Sequence, residues 1–171
     1  RQWPDKLQVI IEEQIPIAKW DSAGFVNNRG ELVLTDVGQL LDHLPVLKGN
    51  ADEALELMQQ YQQLSELFSN SALTIQTLEK NSIGIWLLTL SNGWQLIAGR
   101  DNVAKKTHQF LVMIEQNVIA NPEQIQQVDM RYRGGLAIQW RPLPSFESTI
   151  PGAEQAKANT SGVRAMQENE G

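Results

Sequence analysis

No cysteine occurs in the 171 residues. That excludes a disulfide framework and thiolate metal sites, and it fits the cytoplasm and a bacterial envelope compartment equally well. Histidine is nearly as scarce. His43 precedes Leu44-Pro45 in a loop and His108 falls on a helix, and neither has a partner at metal-ligand spacing. Both read as solvated or packed side chains. Basic charge is short too, with 14 Lys and Arg against 20 Asp and Glu and a net charge of -6. An acidic chain without a basic run lacks the means to neutralise phosphates, which argues against nucleic acid as a partner. No apolar run approaches the roughly 18 residues of a membrane span. Arg1-Gln2-Trp3-Pro4-Asp5 is not a charged segment leading into an apolar stretch, so no signal peptide is read there. The chain opens almost directly into a strand, as a fragment lacking its upstream part would.

Catalytic constellations are missing as well. No serine sits in a Gly-x-Ser-x-Gly turn, and no glycine-rich loop precedes a helix. Glu12 and Glu13 point to opposite faces of a strand, so they cannot act on one bond together. Asp52 and Glu53 are explained by a helix N-terminus, where negative charge is favourable. No acid/base pair remains, and the chain is read as a non-enzyme without cofactor or metal.

What is present is a succession of strands and helices. Lys6 to Glu13 alternates as a strand, and Ile15 to Trp20 is a second extended stretch with Pro16 at an edge or crossover. Phe25-Val26 and Leu32-Val33-Leu34 flank a turn, and Leu44 to Leu47 is a short extended link. Asn50 and Glu53 form a capping box for a helix with Ala54, Leu57, Met58, Tyr61, Leu64 and Phe68 on its buried side. Leu73 to Lys80 reads as a strand with Leu73, Ile75 and Thr77 on one side. Ile85 to Leu90 and Trp94 to Ala98 flank Asn92-Gly93, the strongest short hairpin signal in the chain. Asp101 or Asn102 caps a second helix with the stripe Val103, Thr107, Phe110, Leu111 and Ile114. Trp86 and Trp94 read as core or cross-strand packing, with a sugar-binding face as the alternative. The predicted class is α+β: a mainly antiparallel sheet with two helices packed on it. From Ser145 onward the polar tail cannot offset its ordering entropy and is expected to be disordered.

The final hairpin stands out. Val128, Met130 and Tyr132 alternate with Asp129 and Arg131, and Leu136, Ile138 and Trp140 repeat that period. Gly134-Gly135 can make a two-residue turn between them. Arg141-Pro142-Leu143-Pro144 ends the second strand, and nothing downstream looks able to cover it. Such an edge invites another strand to pair. Periodicity alone leaves two readings open: an ordinary solvated edge, or one that docks a partner.

Several motifs in order carry a resemblance. Arg1-Gln2-Trp3-Pro4-Asp5-Lys6-Leu7-Gln8-Val9, then Glu13-Gln14-Ile15-Pro16-Ile17-Ala18-Lys19-Trp20, resembles the domain junction of the bacterial cell-division FtsQ (DivIB) family. Leu96-Ile97-Ala98-Gly99-Arg100 is similar to that family's Leu-x-x-Gly-Arg strand end. Val128-Asp129-Met130-Arg131-Tyr132, with Ala137 and Trp140, is similar to its Val-Asp-Leu-Arg-Tyr segment and last strand. The resemblance implies a single-pass membrane parent at the division septum, periplasmic beyond the inner membrane, with a POTRA domain followed by a β domain. Residues 1–20 would then be the end of the POTRA domain, 21–144 the β domain and 145–171 the disordered tail.

The implied role is a non-enzymatic divisome scaffold that links early and late division proteins. It would bind FtsB, a coiled-coil protein paired with FtsL, by strand addition to the last β-strand. Other divisome proteins would bind a part N-terminal to this chain. The partner-binding residues expected at these positions are Arg131, Tyr132, Gly134, Gly135, Leu136, Ala137, Ile138 and Trp140, with Tyr132 as anchor and Arg131 available to a partner carboxylate. Gly134 and Arg133 depart from the family's serine and acidic residue. Ile83-Gly84 stand where relatives carry arginines, so a second basic contact would have to come from Lys80 or Arg133. The competing reading is a peptidoglycan-binding or cell-wall-modifying domain built on Trp86 and Trp94.

Overall fold

The computed structural model describes residues 13–21, 24–36 and 39–142. The predicted strand at Lys6 to Glu13 and the tail from Ser145 lie outside them, apart from Glu13. Chain order is β1 (Pro16–Trp20), β2 (Phe25–Asn27), β3 (Leu32–Val33), β4 (Val46–Lys48), α1 (Ala54–Phe68), β5 (Ile75–Lys80), β6 (Trp86–Leu90), β7 (Gln95–Gly99), α2 (Val103–Glu115), β8 (Ile125–Asp129) and β9 (Ala137–Trp140). All strands join one 9-stranded sheet in the order β3-β2-β1-β4-β5-β6-β7-β8-β9. The α+β class holds, and the sheet is mixed. Hairpins supply the antiparallel pairs. The pairs β1–β4, β4–β5 and β7–β8 are parallel. The last two arise because α1 and α2 each carry the chain back over one face, the connection a parallel pair requires. Strand β1 pairs with β2 on one side and β4 on the other.

The register separates the two faces. Trp20, Leu47, Leu78, Leu88, Leu96 and Val128 lie opposite one another strand by strand, and all are buried. Helix α1 packs beside β4 and β5, α2 beside β7, and the helices touch each other. Their buried stripes are Ala54, Leu57, Met58, Leu64 and Phe68, and Val103, Thr107, Phe110 and Leu111. Tyr61 and Ile114 are only partly covered, at the margin of each stripe. Trp86 and Trp94 are 3% and 6% exposed, and Trp94 meets Phe110 edge-to-face at 5.8 Å. Neither ring is presented to a sugar.

Three local expectations change. The phase from Leu73 fails because β5 bulges: Ile75 pairs with Leu90 and Thr77 with Thr89. One extra residue reverses the alternation, so Ile75 and Leu78 share the buried face and Thr77 does not. The capping box at Asn50 does not form. A 3-10 turn at Ala51–Glu53 precedes α1, and the Asn50 side chain meets Glu53 Oε2 at 3.3 Å in place of a helix N–H. Glu53 and Glu56 instead take Lys80 at 2.7 and 2.9 Å, which ties the start of α1 to β5. Asn102 precedes α2 in the left-handed conformation and makes no side-chain cap.

Candidate functional site

Strand β9 is the sheet's last, paired on one side only among the described residues. Its register fixes which backbone groups face outward. The Met130 N–H donates to Ile97 O on β7 at 2.8 Å. Residues two apart face the same side, so Val128 also faces β7, while Gln127 and Asp129 face β9. Their partners Gln139 and Ala137 therefore face inward. The Arg141 N–H agrees, donating to Gln124 O at 2.7 Å. Ile138 and Trp140 thus turn their N–H and C=O away from the sheet. No charged side chain lies between Ala137 and Trp140.

The two-residue turn at Gly134-Gly135 is not what joins this hairpin. Strand β8 ends at Asp129 and β9 begins at Ala137, with Met130 to Leu136 between. Met130 is still held by β7 and buried at 3%. The chain then leaves the sheet because the Asp129 carboxylate binds the next residue but one. Asp129 Oδ1 accepts the Arg131 backbone N–H at 3.0 Å, and the Arg131 guanidinium grips both carboxylate oxygens at 2.6 to 3.0 Å. This bond holds the Asp129 carboxyl below its usual range and raises Arg131. Tyr132 consequently falls out of the strand's phase and stands 60% exposed. Gly134, at φ 78°, takes the left-handed conformation that lets the chain return. A Cβ on Gly134 or Gly135 would meet nothing within 4 Å, so both are open to a partner.

Arg131, Tyr132, Gly134, Gly135 and Leu136 line one wall of a groove of about 1020 Å³; one side of α2 from Lys105 to Met113, with Asp101 ahead of it, makes the other wall. Ala137, Ile138 and Trp140 continue along the edge. Leu136 and Ile138 pack against the core from its margin, and Trp140 is 43% exposed. Sequence reasoning missed the opposite wall, where Lys105 and Lys106 face the groove. A helical pattern reports which residues point inward, not which loop its outer rim will meet. Lys106 also donates to Ala98 O at 3.0 Å, close to the positive-φ Gly99, where a Cβ would come within 3.4 Å of both Lys106 and Arg131. Lys80 is not near this groove. It is bound to α1, stands over the Trp86 ring at 5.5 Å, and three strands separate β5 from β9. Arg133 does line the groove and is exposed. Arg141 closes the far end of β9 by donating to Asn92 O at 3.1 Å.

The arrangement presents an unpaired strand edge, an exposed aromatic ring and a groove with more cations than carboxylates. Among the described residues no group of three His, Cys, Asp or Glu could hold a metal ion, and no helix is long and apolar enough to cross a membrane.

A family model described as "Cell division protein FtsQ/DivIB, C-terminal" matches residues 18–131. The chain belongs to the FtsQ/DivIB family. Similar proteins include the cell division protein FtsQ of Cellvibrio japonicus, 38% identical over 164 residues, covering 96% of this chain and 50% of that protein. The Coxiella burnetii FtsQ is 31% identical over 141 residues, covering 82% and 58%. The Escherichia coli K12 FtsQ is 30% identical over 153 residues, covering 87% and 55%. The chain therefore spans about half the length of these relatives, and it is a cell-division protein by family. The family match stops at Arg131, so most of the connection and all of β9 lie beyond it. The Cellvibrio alignment is long enough that it has to cross β9.

Proposed function

We propose that this chain is the partner-docking part of a non-enzymatic divisome scaffold, and that it binds FtsB, paired with FtsL, by adding an FtsB strand to β9. The observation that carries this reading is the uncharged edge of β9, with the N–H and C=O of Ile138 and Trp140 turned outward. Each main-chain bond made there contributes about 0.5–1.5 kcal/mol net, and the side chains beside the strand supply selectivity. Tyr132 is the anchor, because a central aromatic costs roughly 2 kcal/mol or more when truncated. Segments flanking the added strand run into the groove, where Arg133 and Lys105 favour carboxylates, while Lys106 is held by Ala98 O at 3.0 Å and lies 3.9 Å from Asp101. Arg133 and Lys105 take the place of the family's basic contact near Ile83. Arg131 is already paired with Asp129 and presents that ion pair rather than a free guanidinium. The setting follows the family: the periplasmic side of the inner membrane at the septum, with residues 1–20 as the end of a POTRA domain, 21–144 as the β domain carrying the docking edge, and a C-terminal tail from residue 145.

Titration of the chain with the periplasmic FtsB segment tests the reading. Wild type binds. Tyr132→Ala reduces affinity at least 30-fold with an unchanged far-UV spectrum. A chain that binds muropeptides and ignores the FtsB segment would end the scaffold reading.

A further inference from the structure

The face of the sheet away from the helices has its own cross-strand row. From β5 to the edge it reads Thr77, Thr89, Gln95, Gln127, Gln139, each directly opposite the next. The row lies one residue out of phase with Leu78, Leu88, Leu96 and Val128. None of its members is charged, and hydroxyls give way to amides toward β9. Strand β8 adds one more amide there. Its register slips between Ile125 and Gln127, and the extra residue, Gln126, takes a hydrogen bond on Oε1 from Gln139 Nε2 at 3.5 Å. The remaining N–H and the Oε1 of Gln139 have no partner among the described residues, and Gln139 is exposed.

The register also says how close a new neighbour would come. Gln139 faces β8 with its backbone, so across the outer side of β9 it occupies a non-hydrogen-bonded position. In an antiparallel pair such positions bring Cα atoms to about 4.5 Å, the closer of the two spacings. Gln139 is thus the β9 side chain whose polar end must be met by whatever pairs with this edge.

We infer that the strand taken up at β9 carries an amide or hydroxyl side chain opposite Gln139, so that the polar row runs on into the partner. This inference rests on the strand-addition reading and gives it a sequence requirement. Polar cross-strand pairs are favourable and an apolar opposite number leaves the amide unmatched. On the other face, the strand's neighbouring residue falls beside Ile138 and is apolar.

Double-mutant cycles between Gln139→Leu and single alanine substitutions along the FtsB segment read this directly. One position, bearing Gln, Asn, Ser or Thr, is expected to couple to Gln139 by about 2–5-fold in Kd. Gln139→Asn, which keeps an amide, should preserve the coupling. If the segment binds, and binding is lost in Ile138→Pro, but no polar residue couples to Gln139, the row inference fails and strand addition stands. If the coupled residue is apolar, the inference fails likewise. If the segment does not bind at all, both fail.

Discussion

Among the described residues the sheet has two edges, and they differ in length and in charge. Strand β3 is only Leu32–Val33. Its approach is locked by Asn27, fully buried, whose Oδ1 accepts the N–H groups of Arg29 and Glu31 at 2.9 Å and whose Nδ2 donates to the side chains of Gln14 and Glu31. The turn also carries an Arg29–Glu31 ion pair at 3.2 Å. A short edge flanked by charge is a common way to discourage pairing. Strand β9 is twice as long, Ala137–Trp140, and uncharged. It is fastened just past Trp140 by the Arg141–Asn92 bond, while the Asp129–Arg131 clamp turns the connection ahead of it out of the sheet. Fastening keeps the strand extended and leaves its outer groups free, which lowers the ordering cost of adding a partner. The difference teaches that one sheet can end on a long uncharged strand at one edge and on a short strand flanked by charge at the other.

The largest expected effect comes from breaking what both edges share. Leu96 is fully buried in the central row, and Leu96→Ala should cost about 2–5 kcal/mol. Chemical denaturation measures it, and hydrogen exchange should rise at β2 and β9 alike. The next test acts on β9 alone. Gln139→Pro removes an inward N–H bonded to β8 and should cost about 1–3 kcal/mol. Ile138→Pro removes an outward one, a position proline tolerates on an edge, and should cost less than Gln139→Pro, the loss being limited to the packing of Ile138 at the core margin, while abolishing binding of the FtsB segment. Equal destabilisation by the two prolines would contradict the assigned facing.

Thr107 gives a smaller effect of opposite sign. Its Oγ1 is buried without a hydrogen-bond partner among the described residues, so Thr107→Val should stabilise the fold by about 1 kcal/mol. Slower exchange is expected on the α2 and β7–β9 side, with β3 little affected. The last effect is a pH dependence at one end of β9. Asp129 is held below its ordinary carboxylate value by the Arg131 hydrogen bonds. The stability from a depressed carboxyl is present above its unfolded value of about 4 and is lost as pH falls through the folded one. Amides of 131–136 should therefore begin to broaden below about pH 4, and Asp129→Asn should show the broadening at neutral pH.

Much of the fold was legible before any coordinates. The helical stripes around Leu57 and Phe110 are periodic enough to survive their tertiary setting. The Asn92-Gly93 hairpin was legible because a tight turn is a local matter. The family was legible through motif order, Val128 to Tyr132 above all. What escaped was set by contacts distant in sequence. The β5 phase depended on a bulge opposite Leu90. The hairpin connection depended on Met130 staying with β7 and on Asp129 seizing Arg131. The groove depended on α2 lying against that connection, which brought Lys105 and Lys106 to residues far along the chain.

By itself the sequence determined which segments are extended or helical, which side chains seek the interior, and to which family the chain belongs. These follow from short-range periodicity and from ordered motifs. Only the tertiary structure decided that β9 is an edge, that Ile138 and Trp140 are the residues facing outward, and that a row of amides ends at Gln139. Those are properties of register, and register is settled by the packing of one buried face across the whole sheet.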